Sequence, residues 1–109
     1  MNLPPILQKY LDAWNSGDPV ALLDVFTANA SVVGNDGTPT RDLFRWAQMQ
    51  AQAARAGAVE SFGPARVRGK AVAVEFALTK PGGVVVRGTD FFFLAPDGKI
   101  RMLVWNARP

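Results

Sequence analysis

The chain has 109 residues, 49% of them apolar and 19% charged, with a net charge of +3 at neutral pH. That length suits one domain spanning 1–109, the apolar share can fill a core, and no apolar run approaches the roughly 20 residues of a membrane-spanning helix. The absence of cysteine and histidine excludes disulfides, thiol nucleophiles, zinc-thiolate centres, Ser-His triads and imidazole metal sites.

The opening MNLPPILQKY has no basic segment followed by an apolar one, so no signal peptide is expected and a cytoplasmic location fits. Pro4-Pro5 can open a helix, because proline suits the first helical turn. Ile6, Leu7, Tyr10, Leu11 and Trp14 then recur at helical spacing as one apolar stripe, which Gly17 ends. Asp18-Pro19 supplies an N-cap and a first-turn proline for a short second helix, with Leu22, Leu23 and Phe26 on its inner face. Residues 29–34 have strand character, and Asn35-Asp36-Gly37 signals a turn. A third helix is expected from near Thr40, carrying Leu43, Phe44 and Ala47 and ending at Gly57.

From Val59 the apolar period becomes two. Strands are expected over about 59–68, 70–79, 84–94 and 99–107, separated by Arg68-Gly69-Lys70, Pro81-Gly82-Gly83 and Pro96-Asp97-Gly98. Pro64 marks its strand as bulged or as a sheet edge. Three helices followed by an antiparallel meander predict an α+β domain, with the helices laid on one face of a curved sheet. Alternation puts Val72, Val74, Phe76 and Leu78 on one face of their strand, with Val84, Val86, Asp90, Phe92 and Leu94 on one face of the next. The opposite face carries Val85, Phe91 and Phe93, and Leu103 and Trp105 are expected to extend that patch. A homodimer through this outer sheet face follows. The twelve basic residues are spread without a run, so no nucleic-acid partner is expected.

The residues able to carry chemistry are few. Asp90, in Thr89-Asp90-Phe91-Phe92-Phe93, shares the inner face with Phe92, where a carboxyl must be hydrogen-bonded, paired or protonated. Tyr10, the only tyrosine, presents a phenol to the sheet, either as a functional group or as an amphipathic core residue. Asp36 suits a turn, and Glu75 suits an ion pair on the outer face. Trp14, Trp46 and Trp105 read as core or interface anchors. The aspartates show no metal-ligand spacing, so neither metal nor cofactor is expected.

The run from Leu7 to Asp18, with Tyr10, Trp14, Asn15 and Gly17, resembles the nuclear-transport-factor-2-like superfamily, together with Leu22, Phe26, Ala30-Ser31-Val32 and Asp97-Gly98-Lys99-Ile100. The resemblance spans nearly the whole chain and implies a cone-shaped, barrel-like α+β fold with a pocket between helices and sheet. Within it the chain is most similar to bacterial ketosteroid isomerases. Tyr10 matches their catalytic tyrosine, and Asp90, followed by Phe92, matches an aspartic acid that an apolar site keeps neutral so that it donates a hydrogen bond. The resemblance thus implies an oxyanion hole from Tyr10 and Asp90. Their general base aligns with Gly34, which leaves Asp36, two residues on, as the candidate base. The implied pocket is walled by Phe26, Val74, Phe76, Phe92, Leu43, Trp46 and Met102, and takes a small apolar ketone or a polycyclic, steroid-like ligand without a cofactor. The same fold also serves SnoaL-like polyketide cyclases, in which Asp90 would be the acid or base, and non-catalytic ligand-binding or dimerisation modules.

Overall fold

The first helix, α1 (Pro5–Ser16), starts on Pro4-Pro5 and buries Leu7, Tyr10, Ala13 and Trp14 along one stripe. It stops at Gly17, whose φ of 74° is left-handed backbone that glycine adopts at little cost. These elements belong to a computed structural model that describes residues 3–108; the ends of the domain read over 1–109 lie outside the described residues. Helix α2 (Pro19–Asp24) is capped by Asp18, whose carboxylate accepts from the Val20 and Ala21 amides.

Phe26 does not sit on that helix. It opens strand β1 (Phe26–Val33), because the chain joins the sheet at once: the Ile100 amide donates to the Val25 carbonyl at 2.9 Å, and Phe26 stands opposite Ile100. Likewise Thr40 belongs to a two-residue strand, β2 (Pro39–Thr40), paired with the end of β1. Helix α3 (Leu43–Arg55) therefore begins later than expected, where the Asp42 carboxylate accepts from the Arg45 amide. Phe44 points to solvent rather than to the core.

The meander follows as β3 (Val59–Arg68), β4 (Ala71–Thr79), β5 (Val85–Leu94) and β6 (Ile100–Ala107). With β1 and β2 they form one curved six-stranded sheet in the order β2-β1-β6-β5-β4-β3. Only β1 with β6 is parallel, and the other neighbours are antiparallel. Pro64 sits on an edge strand and at a register shift between Phe62 and Ala65, where its missing N–H costs no ladder bond. No helix among the described residues is long and apolar enough to cross a membrane.

Phe92, Ile100, Leu103, Val32, Val72 and Val74 supply the sheet's share of the core, against Leu7, Tyr10, Trp14 and Leu22 from the helices. Leu103 and Trp105 are thus not on the outer patch. In an antiparallel pair opposite residues share a face, and Leu103 stands opposite Phe92, Trp105 opposite Asp90. The outer face keeps Phe91, which is 39% exposed, and Phe93 under the Arg101 guanidinium. There Glu75 bonds to Thr89 and Arg108, and those two bonds hold its carboxyl below the usual range.

One glycine is dictated by close approach. A Cβ on Gly88 would press into the Asn106 carbonyl and lie 2.7 Å from the Phe76 ring. Gly88→Ala must spread β5 from β6 or displace Phe76, and is expected to cost about 1–3 kcal/mol in urea unfolding.

Candidate active site

Between α1, α3 and the inner face of the sheet lies a cavity of about 520 Å³, within the range of small-molecule sites. Tyr10 enters it from the buried stripe of α1. Its ring meets Phe92 edge-on at 5.1 Å and Phe26 at 6.2 Å, and stacks on Phe62 at 6.0 Å. Three aromatic contacts fix the ring while the phenol remains part of the cavity wall.

Asp90 arrives from β5 between the inward residues Gly88 and Phe92. It is only 3% exposed, and its Oδ2 has no hydrogen-bond partner among the described residues. Burial disfavours the charged form and pushes the carboxyl up to about 7.

Glu60 is the functional candidate that the sequence reading missed. It is 8% exposed, lines the same cavity, and leaves Oε1 without a partner among the described residues. Burial raises its carboxyl well above the ordinary value, and the Asp90 charge raises it further. Burial likewise holds the Tyr10 phenol well above its ordinary value, reinforced by Glu60 and then Asp90. The inward turn of Glu60 is fixed by a tertiary contact. The Asn15 side chain, at the end of α1, accepts from the Glu60 amide at 2.9 Å and donates to its carbonyl at 2.8 Å. This clamp satisfies the free edge of β3 and ties it to the helix that carries Tyr10.

The other expected site residues divide. Trp46 and Phe76 line the cavity, whereas Phe26, Val74, Phe92 and Leu43 are buried in the core and are absent from its lining. Phe26 and Phe92 act one layer back, on the Tyr10 ring, and Phe26 also meets Trp46 edge-on at 5.6 Å. Met102 is no pocket residue: it pairs with Phe93 on the outer face, and Leu103 takes the inward place. Asp36 lines the cavity from an exposed loop, where its Oδ1 accepts from the Thr38 amide at 2.9 Å in a local turn. It is therefore held apart from the buried carboxyls by its own turn chemistry.

Gly34 explains itself through Trp105. A Cβ at residue 34 would lie 2.6 Å from Cζ2 of the indole, so the ring occupies the space a side chain there would need. Elsewhere the wall is mostly apolar, with polar additions from Gln50, which accepts from the Trp14 indole at 3.1 Å, and from Lys80. The arrangement offers two buried carboxyls and a phenol to one mostly apolar cavity.

The profile of the SnoaL-like domain family matches residues 7–102. No curated protein matches the sequence. Among solved structures, a protein of Sinorhizobium meliloti assigned as a polyketide cyclase is 26% identical, with a TM-score of 0.79 over 94% of each chain. The epoxide hydrolase/cyclase-like enzyme SalBIII, with a role in pyran-ring formation in the polyether salinomycin, is 25% identical, with a TM-score of 0.80 over 94% of this chain and 88% of its own. A Catenulispora acidiphila protein with a ketosteroid isomerase-like fold is 17% identical, with a TM-score of 0.81 over 95% of this chain and 85% of its own, a likeness of fold alone.

Proposed function

The chain belongs to the SnoaL-like domain family, and we propose that it is an acid–base enzyme that enolises an apolar ketone for ring closure, as a polyketide cyclase must. The observation that carries this reading is Asp90: a buried carboxyl with a free oxygen in an apolar cavity, close to half-ionised at neutral pH. A general base works best with its pKa near the operating pH. As carboxylate, Asp90 takes a proton from the carbon beside the ketone. The C–H electron pair becomes the enolate double bond, and charge moves to the oxygen, where the Tyr10 hydroxyl donates a hydrogen bond. The enolate carbon then attacks a second carbonyl of the same molecule.

The likeness to a protein assigned as a polyketide cyclase supports this direction. The ketosteroid-isomerase reading shares the first step and differs in returning the proton to a distal carbon. It is favoured by the meeting of Tyr10 and Asp90 in one cavity. Its expected base is the weaker part, since Trp105 fills the space beside Gly34 and Asp36 is engaged in its own turn.

The test is deuterium exchange beside the carbonyl of 2-tetralone, followed by proton NMR in D₂O. Acceleration by the wild type, reduced roughly 10²-fold or more in Tyr10→Phe, is the expected result. No acceleration would remove the enolisation reading. Conversion of a β,γ-unsaturated ketosteroid to its conjugated enone, read by ultraviolet absorbance, would move the assignment to the isomerase.

A further inference from the structure

Two buried carboxyls line this cavity, and the enolising step uses one of them. Each has an oxygen without a hydrogen-bond partner among the described residues: Oδ2 of Asp90 and Oε1 of Glu60. They reach the cavity from β5 and from the edge strand β3, with β4 between the two. Among the described residues, the other titratable ones in the cavity lining are Tyr10 from α1, Asp36 from the loop after β1, and Lys80 just after β4. Helix α3 contributes Trp46, Met49 and Gln50, none of which titrates, and β6 contributes only Leu103, Trp105 and Ala107.

A glutamate buried for structural reasons ordinarily spends its carboxyl on amide or cationic donors. Glu60 does not. Its backbone is held by Asn15, and Oε1 is left for the cavity. Burial raises both carboxyls, and the Asp90 charge raises Glu60 further, so the pair favours keeping one proton over carrying two charges.

We propose that Glu60 is the general acid of this site: the pair it forms with Asp90 holds one proton at neutral pH, and Glu60 delivers it to the carbonyl oxygen that gains charge on ring closure. The role of proton donor rests on the enolisation reading, while the shared proton does not. Asp90 carboxylate takes the α-proton, and the enolate carbon bonds to the second carbonyl carbon. The π pair of that carbonyl moves to its oxygen, which takes the proton of the Glu60 carboxyl. Asp90, now protonated, gives its proton to water and the Glu60 carboxylate takes one up, so the site returns to its starting state with no net change in protons. The Asp90 charge raises the Glu60 carboxyl, so the two groups lose their protons in separate steps that belong to the pair.

The shared proton is read without substrate, by carbon-13 NMR titration of the carboxyl groups in the wild type and in Asp90→Asn. The expected result is a downward shift of the Glu60 midpoint by a pH unit or more in Asp90→Asn. A midpoint unchanged by that substitution would overturn the proposal. The donor role is read by closure of the 1,5-diketone 2-(3-oxobutyl)cyclohexanone. Glu60→Gln is expected to slow closure roughly 10²-fold and to remove the loss of rate at high pH, and Glu60→Asp to restore part of both. Unchanged closure and an unchanged pH profile in Glu60→Gln would overturn the donor role even where exchange on 2-tetralone persists. Coupled titration together with no exchange by the wild type would sink the enolisation reading and leave the shared proton standing.

Discussion

Asp90→Asn is expected to slow turnover by orders of magnitude and, at pH 8, to unfold at a higher denaturant concentration than the wild type. The two effects have one cause. Burial pushes the Asp90 carboxyl up to about 7, while in the unfolded chain an aspartate titrates near ~3.9. Between those values the folded protein holds a proton that the unfolded chain has released, so stability falls as pH rises through the interval. Below about pH 4 the carboxyl is largely protonated in both states and the penalty on its charge is absent; above about pH 7 the whole of that penalty is present. A shift of about three units corresponds to something on the order of 4 kcal/mol. Asparagine keeps the shape and never ionises, so its advantage is expected at pH 8 and should vanish at pH 4. Urea unfolding at both pH values checks the sign. Equal effects at the two pH values would mean that Asp90 pays no desolvation cost, and the base would have to be sought elsewhere. On the rate side, loss of a general base is worth roughly 10²–10⁴-fold in deuterium exchange on 2-tetralone. A variant gaining stability where it loses function marks a carboxyl placed for chemistry rather than for packing.

Much of this fold was legible because its signals are local. The stripe of Leu7, Tyr10 and Trp14 announces α1, and the glycine-bearing turns at Gly69, Gly82 and Gly98 cut the meander where the strands end. The alternation in β4 and β5 was enough to turn Asp90 inward beside Phe92. What was not legible depends on pairing between distant segments. Phe26 reads as the last apolar residue of α2 until its register with Ile100 draws it into the sheet. The face of β6 turns on a single irregularity. Ile100 pairs with Leu94 and Met102 with Phe93, so Arg101 is left over as a bulge. Counting by twos from Ile100 puts Met102 inside. The extra residue reverses the count, and Leu103 and Trp105 go inward instead.

Glu60 was hidden for a related reason. In Val59-Glu60 the apolar residue is the natural choice for the core, yet Val59 is 55% exposed and Glu60 is buried. The deciding contact is the Asn15 clamp, which joins residues 45 positions apart and leaves no periodic trace in the sequence. Of the candidate site, then, the phenol and one carboxyl follow from the helical stripe and the strand alternation. The second carboxyl follows only from the tertiary edge.

Phe92→Ala should be the most destabilising single substitution in the core, and it should reach the chemistry through Tyr10. Phe92 is 0% exposed and meets Tyr10 at 5.1 Å and Phe62 at 6.0 Å, both edge-on. Truncation to alanine removes the ring from a layer that neighbours on β4 and β6 cannot close without bending the sheet. The expected cost is about 3–5 kcal/mol in urea unfolding. Phe92→Leu keeps most of the volume and is expected to cost less than half as much. The leucine variant is the informative one for the site, since it stays folded while losing the edge-on contact that fixes the phenol ring. Misplacement of a donor by about 1 Å can cost roughly 10²-fold in rate. Exchange on 2-tetralone by Phe92→Leu should therefore fall in kcat with little change in KM, as for an interaction made only in the transition state. A fall in KM-type binding alone would instead assign Phe92 to the cavity wall, and an unchanged rate would mean that Phe26 and Phe62 suffice to hold Tyr10. The first outcome would establish that the aromatic layer behind the cavity positions the phenol that the mechanism requires.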